Sequence, residues 1–181
     1  DVVSYYGYLP ATFIYKDLSL NFIDTASTDY RSKHQFWPKT APNGNKVFKF
    51  TMGMSVMYSP FFFIAHTYSN FSSHYSNNGF SKPYEIALAL SCLFYLIFGL
   101  FFLRKTLLLF FSEFIASIVL VVLVVGTNLL YYSTSEPCMS HAYSFSLISI
   151  FIFLSIKWHQ KQTIKKALVI GLVSGLIVLI R

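Results

Sequence analysis

Charge is what this sequence has least of. Asp, Glu, Lys and Arg make up 12% of its 181 residues, about half the ~25% usual in a soluble domain. Acids are rarest, with 7 in all. Cysteine is nearly absent too: Cys92 falls in an apolar run and Cys138 in a polar connection, and two thiols make no disulfide framework. Metal-ligand spacing is also missing, since His66 and His74 stand eight positions apart across a polar stretch. The chain opens on Asp1 without a signal-peptide pattern.

What replaces charge is apolar and aromatic bulk. Hydrophobic residues reach 55%, with 20 Phe and 13 Tyr, and the mean hydropathy is +0.54. A water-soluble core cannot hide that much apolar surface, so the composition predicts an all-α, polytopic integral membrane protein. The formal charge of +7 does not point to nucleic acid, because basic residues set between long apolar runs mark membrane boundaries.

Four spans are expected. The first covers 86–103, eighteen residues without a charge, after Lys82-Pro83-Tyr84-Glu85, where proline and an acid suit a helix's first turn. Arg104 and Lys105 are expected to end it. The second covers 106–132, with a β-branched centre that is ordinary for a helix in lipid and with Tyr131 and Tyr132 at an aromatic belt. The third covers 136–156, opening near Ser135-Glu136-Pro137 and stopping before Lys157-Trp158-His159-Gln160-Lys161. The fourth covers 167–181. Its fourteen uncharged residues reach roughly 21 Å at 1.5 Å each, short of the roughly 30 Å hydrocarbon core. The expectation is a fragment of a longer protein with at least one further helix before Asp1.

Charge orients the spans. The connection 157–166 holds four lysines and no acid, Arg104-Lys105 follows the first span, and 133–141 carries one acid and no Lys or Arg. The positive-inside rule puts both basic connections in the cytoplasm, and residues 1–84 outside as one long loop. Within that loop, 51–66 is apolar enough to resemble a further span. Ser59-Pro60 reads as an N-cap and first helical position, dividing it into a glycine-containing stretch and a short helix from Pro60 to Thr67 lying along the outer interface. A crossing at 51–66 is the alternative, and it would move the loop to the cytoplasm. Tyr5, Tyr6, Tyr8, Phe13, Tyr15, Phe22, Phe36 and Trp37 make the loop aromatic enough to lie against the membrane.

The order of these parts carries a resemblance. A loop opening Asp1-Val2-Val3-Ser4-Tyr5-Tyr6, a membrane-hugging Met54-Ser55-Val56-Met57-Tyr58-Ser59-Pro60-Phe61-Phe62-Phe63, then successive helices with Ser140-His141-Ala142-Tyr143-Ser144-Phe145 and Gly171-Leu172-Val173-Ser174-Gly175-Leu176, is similar to the C-type (GT-C) membrane glycosyltransferase superfamily. Protein O-mannosyltransferases and lipid A aminoarabinose transferases share this plan. Family members commonly carry Asp-Glu where this chain has Asp1-Val2. The resemblance implies inverting transfer of a sugar from a polyprenyl-phosphate donor to an acceptor hydroxyl at the extracytoplasmic face of the membrane. Members differ in sugar, acceptor and use of a divalent cation, and this sequence has no metal motif.

That chemistry needs a base, donors for the departing phosphate and aromatic faces for the sugar. Under the resemblance, Asp1 is the base; as residues alone, Asp1, Asp17, Asp24 and Asp29 are equally loop acids. Tyr5 and Tyr6 would hold sugar. Lys46 and Lys49 would meet lipid phosphate, or else ordinary headgroups. His66 and His141 would hold phosphate, or else serve as hydrogen-bonded interfacial histidines. Glu136 is a second-loop acid of the site, or a first-turn acid favoured by the helix dipole. Arg181 could touch donor phosphate at the outer end of the fourth span. Glu113, alone within an apolar run, is expected to reach back toward Arg104 and Lys105. Gly171 and Gly175 form a small-xxx-small packing pair.

Two other classes fit the composition. A lipid or sugar transporter needs ionisable residues along several spans, and these offer little beyond Glu113, Asn128 and Cys92. A non-catalytic subunit packed against other membrane proteins shares the aromatic surfaces and small-residue seams seen here. The bias toward Lys, Asn, Ile, Phe and Tyr suggests an AT-rich, bacterial source, and hence the cytoplasmic (inner) membrane.

Overall fold

The computed structural model describes residues 2–25 and 38–180, and the fold is 69% helical with almost no strand. Two of the helices are long and apolar enough to cross a membrane, Lys82–Leu107 and His141–Gln160. The chain divides into two compact units, the first ending at Leu90 and the second covering 91–180.

The first unit is built on α4 (Gly53–Phe71), against which α1 (Val2–Tyr6) and α2 (Tyr8–Phe13) pack. The one-turn α3 (Phe22–Thr25) and a hairpin of β1 (Lys39–Thr40) and β2 (Lys46–Val47) lie between α2 and α4 in sequence. In the hairpin Lys39 pairs with Val47 and Thr40 with Lys46, and the turn is closed by Gly44 at φ +84°. The buried face of α4 runs through Met54, Tyr58, Phe62, Ala65 and Ser69, the three-to-four spacing of a helix packed on one side.

Here the expected break at Ser59-Pro60 is corrected. The helix is continuous for 19 residues with Pro60 inside it. Proline has no N–H to offer the carbonyl four residues back, which is that of Val56. The Ser59 hydroxyl donates to that same carbonyl at 2.8 Å, so the acceptor stays satisfied and the helix carries on.

The second unit holds most of α5 (Lys82–Leu107), then α6 (Glu113–Gly126), α7 (Leu129–Thr134), α8 (His141–Gln160) and α9 (Ile164–Leu179). Three approaches give the direction of α5 against α8. Ser91 and Tyr143 share a 2.5 Å hydroxyl hydrogen bond, a Cβ on Gly99 would come within 2.8 Å of Ser146 Cα, and the Phe102 and Phe153 rings meet edge to face at 5.4 Å. Residue numbers rise together, so the two helices run parallel, and α6 with α7 carries the chain back between them. Small residues at the seam permit this closeness.

The element ends differ from the sequence expectation, each for a local reason. Arg104 and Lys105 do not end α5 but occupy its last turn, where cations suit the C-terminal dipole, and the helix stops at Leu107. The expected second span 106–132 is a turn at 108–112 followed by two helices. Thr127 Oγ1 donates to the Leu123 carbonyl at 2.7 Å and accepts from Leu129 N–H at 3.2 Å, ending α6 and starting α7. The third helix begins at His141 and not near Glu136, because 135–140 forms a turn in which Met139 N–H bonds the Glu136 carbonyl. It runs past Ile156 to Gln160, taking Lys157 and His159 into its last turn. The fourth begins at Ile164, three residues before the expected Ala167, because the Thr163 side chain caps Lys166 N–H at 3.4 Å.

Candidate functional site

In the first unit, residues named for sugar and phosphate binding fall into two aromatic groups. α1 turns Tyr5 and Tyr6 inward, and both are buried. Tyr5 stacks on Phe50 with ring centres 4.4 Å apart, its carbonyl takes a hydrogen bond from Ser55, and the Lys49 ammonium lies 4.8 Å from the same Phe50 ring. Lys49 is thereby a cation-π partner of the ring that Tyr5 covers. Lys46 stands on β2, half-buried.

Tyr6 points into the second group. Its hydroxyl donates to the Gly79 carbonyl, and its ring meets Tyr58, Phe62 and Phe80 edge on. Gly79 sits at φ +86°, and a Cβ there would come within 2.9 Å of Pro10, so a glycine lets this carbonyl approach. Burial, reinforced by the neighbouring Tyr84 and Tyr15 hydroxyls, pushes the Tyr6 phenol well above its ordinary value. It stays protonated and acts as a donor. Burial also raises Tyr8 and Tyr15, whose hydroxyls donate to the Phe50 and Asn78 carbonyls at 2.8 and 3.1 Å.

On the other side of Phe62 lies His66. Its ring stacks on Phe62 at 5.7 Å with only 4° between planes, and Nδ1 is 2.6 Å from the Tyr84 hydroxyl. Tyr6 and His66 are thus both brought against one buried ring. Alongside runs an apolar groove of about 370 Å³, walled by Ile64, Ala65 and Tyr68 of α4, by Tyr75, and by Pro83 and Ile86 at the start of α5. Ala65 and Pro83 of its wall directly precede the polar pair, His66 and Tyr84. A hydrogen-bonding head beside an apolar trough suits an amphiphile.

The remaining site residues are elsewhere. His141 and Glu136 belong to the second unit. His141 opens α8 with its ring stacked on Tyr132 at 3.6 Å and 15°, and Glu136 lies exposed in the preceding turn. Glu136 is therefore not a first-turn acid of α8. Asp1 and Arg181 lie outside the described residues, as do Asp29, Phe36, Trp37 and the side chain of Asp24. Asp17 is occupied structurally: its carboxylate accepts from Ser19 and Phe22 N–H groups, both at 2.9 Å. Glu113 forms its ion pair with Arg104, an exposed one. Among the described residues no three His, Cys, Asp or Glu side chains gather as metal ligands would.

Tyr84, which in sequence is only part of a helix start, and the groove beside it escape sequence reasoning. Their signal is the recurrence of aromatic and small residues at helical spacing in two segments separated by a polar loop, which gives each a buried face without showing that the faces meet. No family model, curated protein or solved structure matches this chain.

Proposed function

We propose that this chain is an extracytoplasmic loop and the membrane spans that follow it in a polyprenyl-phosphate-dependent glycosyltransferase of the C type, working at the outer face of a bacterial cytoplasmic membrane. The observation that carries the reading is the pairing of the His66–Tyr84 hydrogen bond with the apolar groove next to it. An isoprenoid chain lying along Ile64, Tyr68 and Ile86 would bring a phosphate within reach of the half-buried His66 imidazole, which the buried Tyr84 hydroxyl holds in place. A positioned hydrogen-bond donor of this kind stabilises a departing phosphate oxyanion. Asp1, directly before α1, is the proposed base, taking the acceptor proton as the glycosidic bond forms and the bond from the anomeric carbon to lipid phosphate breaks.

The parallel run of α5 and α8 supports the proposed topology, since it sets Arg104-Lys105 and Lys157 at one end of the second unit. That end is cytoplasmic in this reading, with residues 1–84 and 133–140 outside. Cysteine labelling from outside intact cells is expected at Ser76→Cys and absent at Gln162→Cys; the reverse pattern inverts the topology.

The decisive experiment is Asp1→Asn in the complete enzyme, assayed with a polyprenyl-phosphate sugar. Turnover is expected to fall by about 10² to 10⁴ with donor affinity little changed, whereas near-normal transfer removes Asp1 from the mechanism. A second reading, a membrane subunit without chemistry of its own, is favoured by α9, where a Cβ on Gly171 or Gly175 would meet nothing. Under that reading the complete protein transfers no sugar at any Asp1 genotype.

A further inference from the structure

The second unit collects its cations at one end, and they are not all used in the same way. Phe153 of α8 marks the level: the Lys105 and Lys157 ammonium groups each lie 5.9 Å from its ring centre. Lys105 also sits over Phe101 at 4.3 Å, and Arg104 is paired with Glu113. Lys157 reaches the Gln160 side-chain oxygen at 3.3 Å. Lys166 donates to the carbonyls of Lys157 at 2.8 Å and Lys161 at 3.0 Å, closing the last turn of α8.

Lys161 and Lys165 differ from these. Both are exposed, and residues 137–181 contain no Asp or Glu to pair with them. Between them in sequence lies most of the lining of a groove of about 230 Å³, formed by Trp158, Gln162, Thr163, Ile164 and Ala167. Lys161 directly precedes the lining residue Gln162, and Lys165 directly follows Ile164. The groove joins an indole and two aliphatic side chains to an amide and a hydroxyl, and two exposed lysines are the chain neighbours of its lining residues.

We propose that this groove binds the headgroup region of an anionic phospholipid, its phosphate held by Lys161 and Lys165 and the first carbons of its chains lying along Trp158 and Ile164. Charge complementarity selects the occupant: two exposed ammonium groups in a segment, 137–181, that has no acid of its own attract a phosphate. The apolar lining distinguishes a lipid from a free anion, since inorganic phosphate would leave Trp158 and Ile164 without a partner. Tryptophan is at home where one edge of the ring is apolar and the other wet. The inference rests on the membrane placement proposed above.

The test reconstitutes the full chain in lipid nanodiscs with Trp37→Phe, leaving Trp158 as the one fluorophore of the two tryptophans. Quenching is compared for phosphatidylglycerol and phosphatidylcholine, each brominated near the carbonyl end of its chains. The expected result is a preference of roughly tenfold for the anionic lipid at Trp158, abolished by the K161Q/K165Q double substitution and kept by K161R/K165R. Equal quenching by both lipids, or a preference that K161Q/K165Q leaves intact, overturns the site while upholding the membrane placement. No quenching by either lipid overturns both.

Discussion

The two units solve opposite problems with the same residue types. In the first, irregular segments carry backbone carbonyls that no helix satisfies, and tyrosines supply the donors: Tyr6, Tyr8 and Tyr15 each reach a carbonyl more than forty residues away. The Tyr6 ring is buried against Tyr58 and Phe62, which are 0% and 1% exposed. In the second, helices satisfy their own backbone, and the small residues Ser91, Gly99 and Ser146 let the helices close around the buried Tyr143. Large side chains face outward, with Phe114 at 75%, Leu172 at 71% and Val178 at 74% exposure. An irregular fold stabilises itself by burying aromatics; the helical unit keeps its bulk outside, as the proposed contact with lipid would have it.

The contrast between the units can be broken most forcefully at Phe62. Its replacement by Ala is expected to cost about 3–5 kcal/mol in the stability of the first unit, whereas Phe114→Ala should change stability by less than ~0.5 kcal/mol. Thermal unfolding of both variants in detergent checks the pair, and equal losses would mean that α6 has a packed face after all. Next in size is Gly99→Ala, expected to cost about 1–3 kcal/mol because its Cβ would collide with Ser146 Cα. Gly171→Ala, in open space, should be neutral or slightly stabilising in the same measurement.

Tyr6→Phe should cost about 1–3 kcal/mol by stranding the Gly79 carbonyl, and it carries a pH signature. The folded phenol titrates above its ordinary value of 10, so the unfolded state loses its proton first. The stability contributed by Tyr6 is fully present below pH 10 and is lost as pH rises from there toward the folded value. Alkaline unfolding curves of wild type and Tyr6→Phe should therefore converge above pH 10. The smallest effect belongs to Glu113→Gln, about 0.2–1 kcal/mol, because the Arg104 pair is exposed and screened. It should shrink further as salt is raised.

Composition makes the helical class legible, and the absence of charge over 86–103 marks the core of α5. Element ends are harder, because side-chain hydroxyls decide them. Ser59 rescues a helix that Pro60 alone would break, while Thr127, between Gly126 and Asn128, ends one; the two hydroxyls look alike in sequence and act in opposite directions. Tyr6 and His66 are recognisable as interfacial aromatics, but their meeting at Phe62 depends on α1 packing on α4 from half a loop away. Asp1, which carries the mechanistic proposal, rests on a motif, and Asp17 is the acid whose backbone partners exclude it.

The parallel run of α5 and α8 sets a clock on biosynthesis. The hydroxyl bond between Ser91 and Tyr143 joins residues 52 apart, so the seam cannot close until the whole return stroke through α6 and α7 has been made. At ~5–20 residues per second, α5 waits roughly three to ten seconds with Ser91 and Gly99 uncovered. A nascent chain in that interval presents a narrow, polar-edged furrow to whatever accompanies it, and any factor that shields the furrow must leave before Tyr143 arrives.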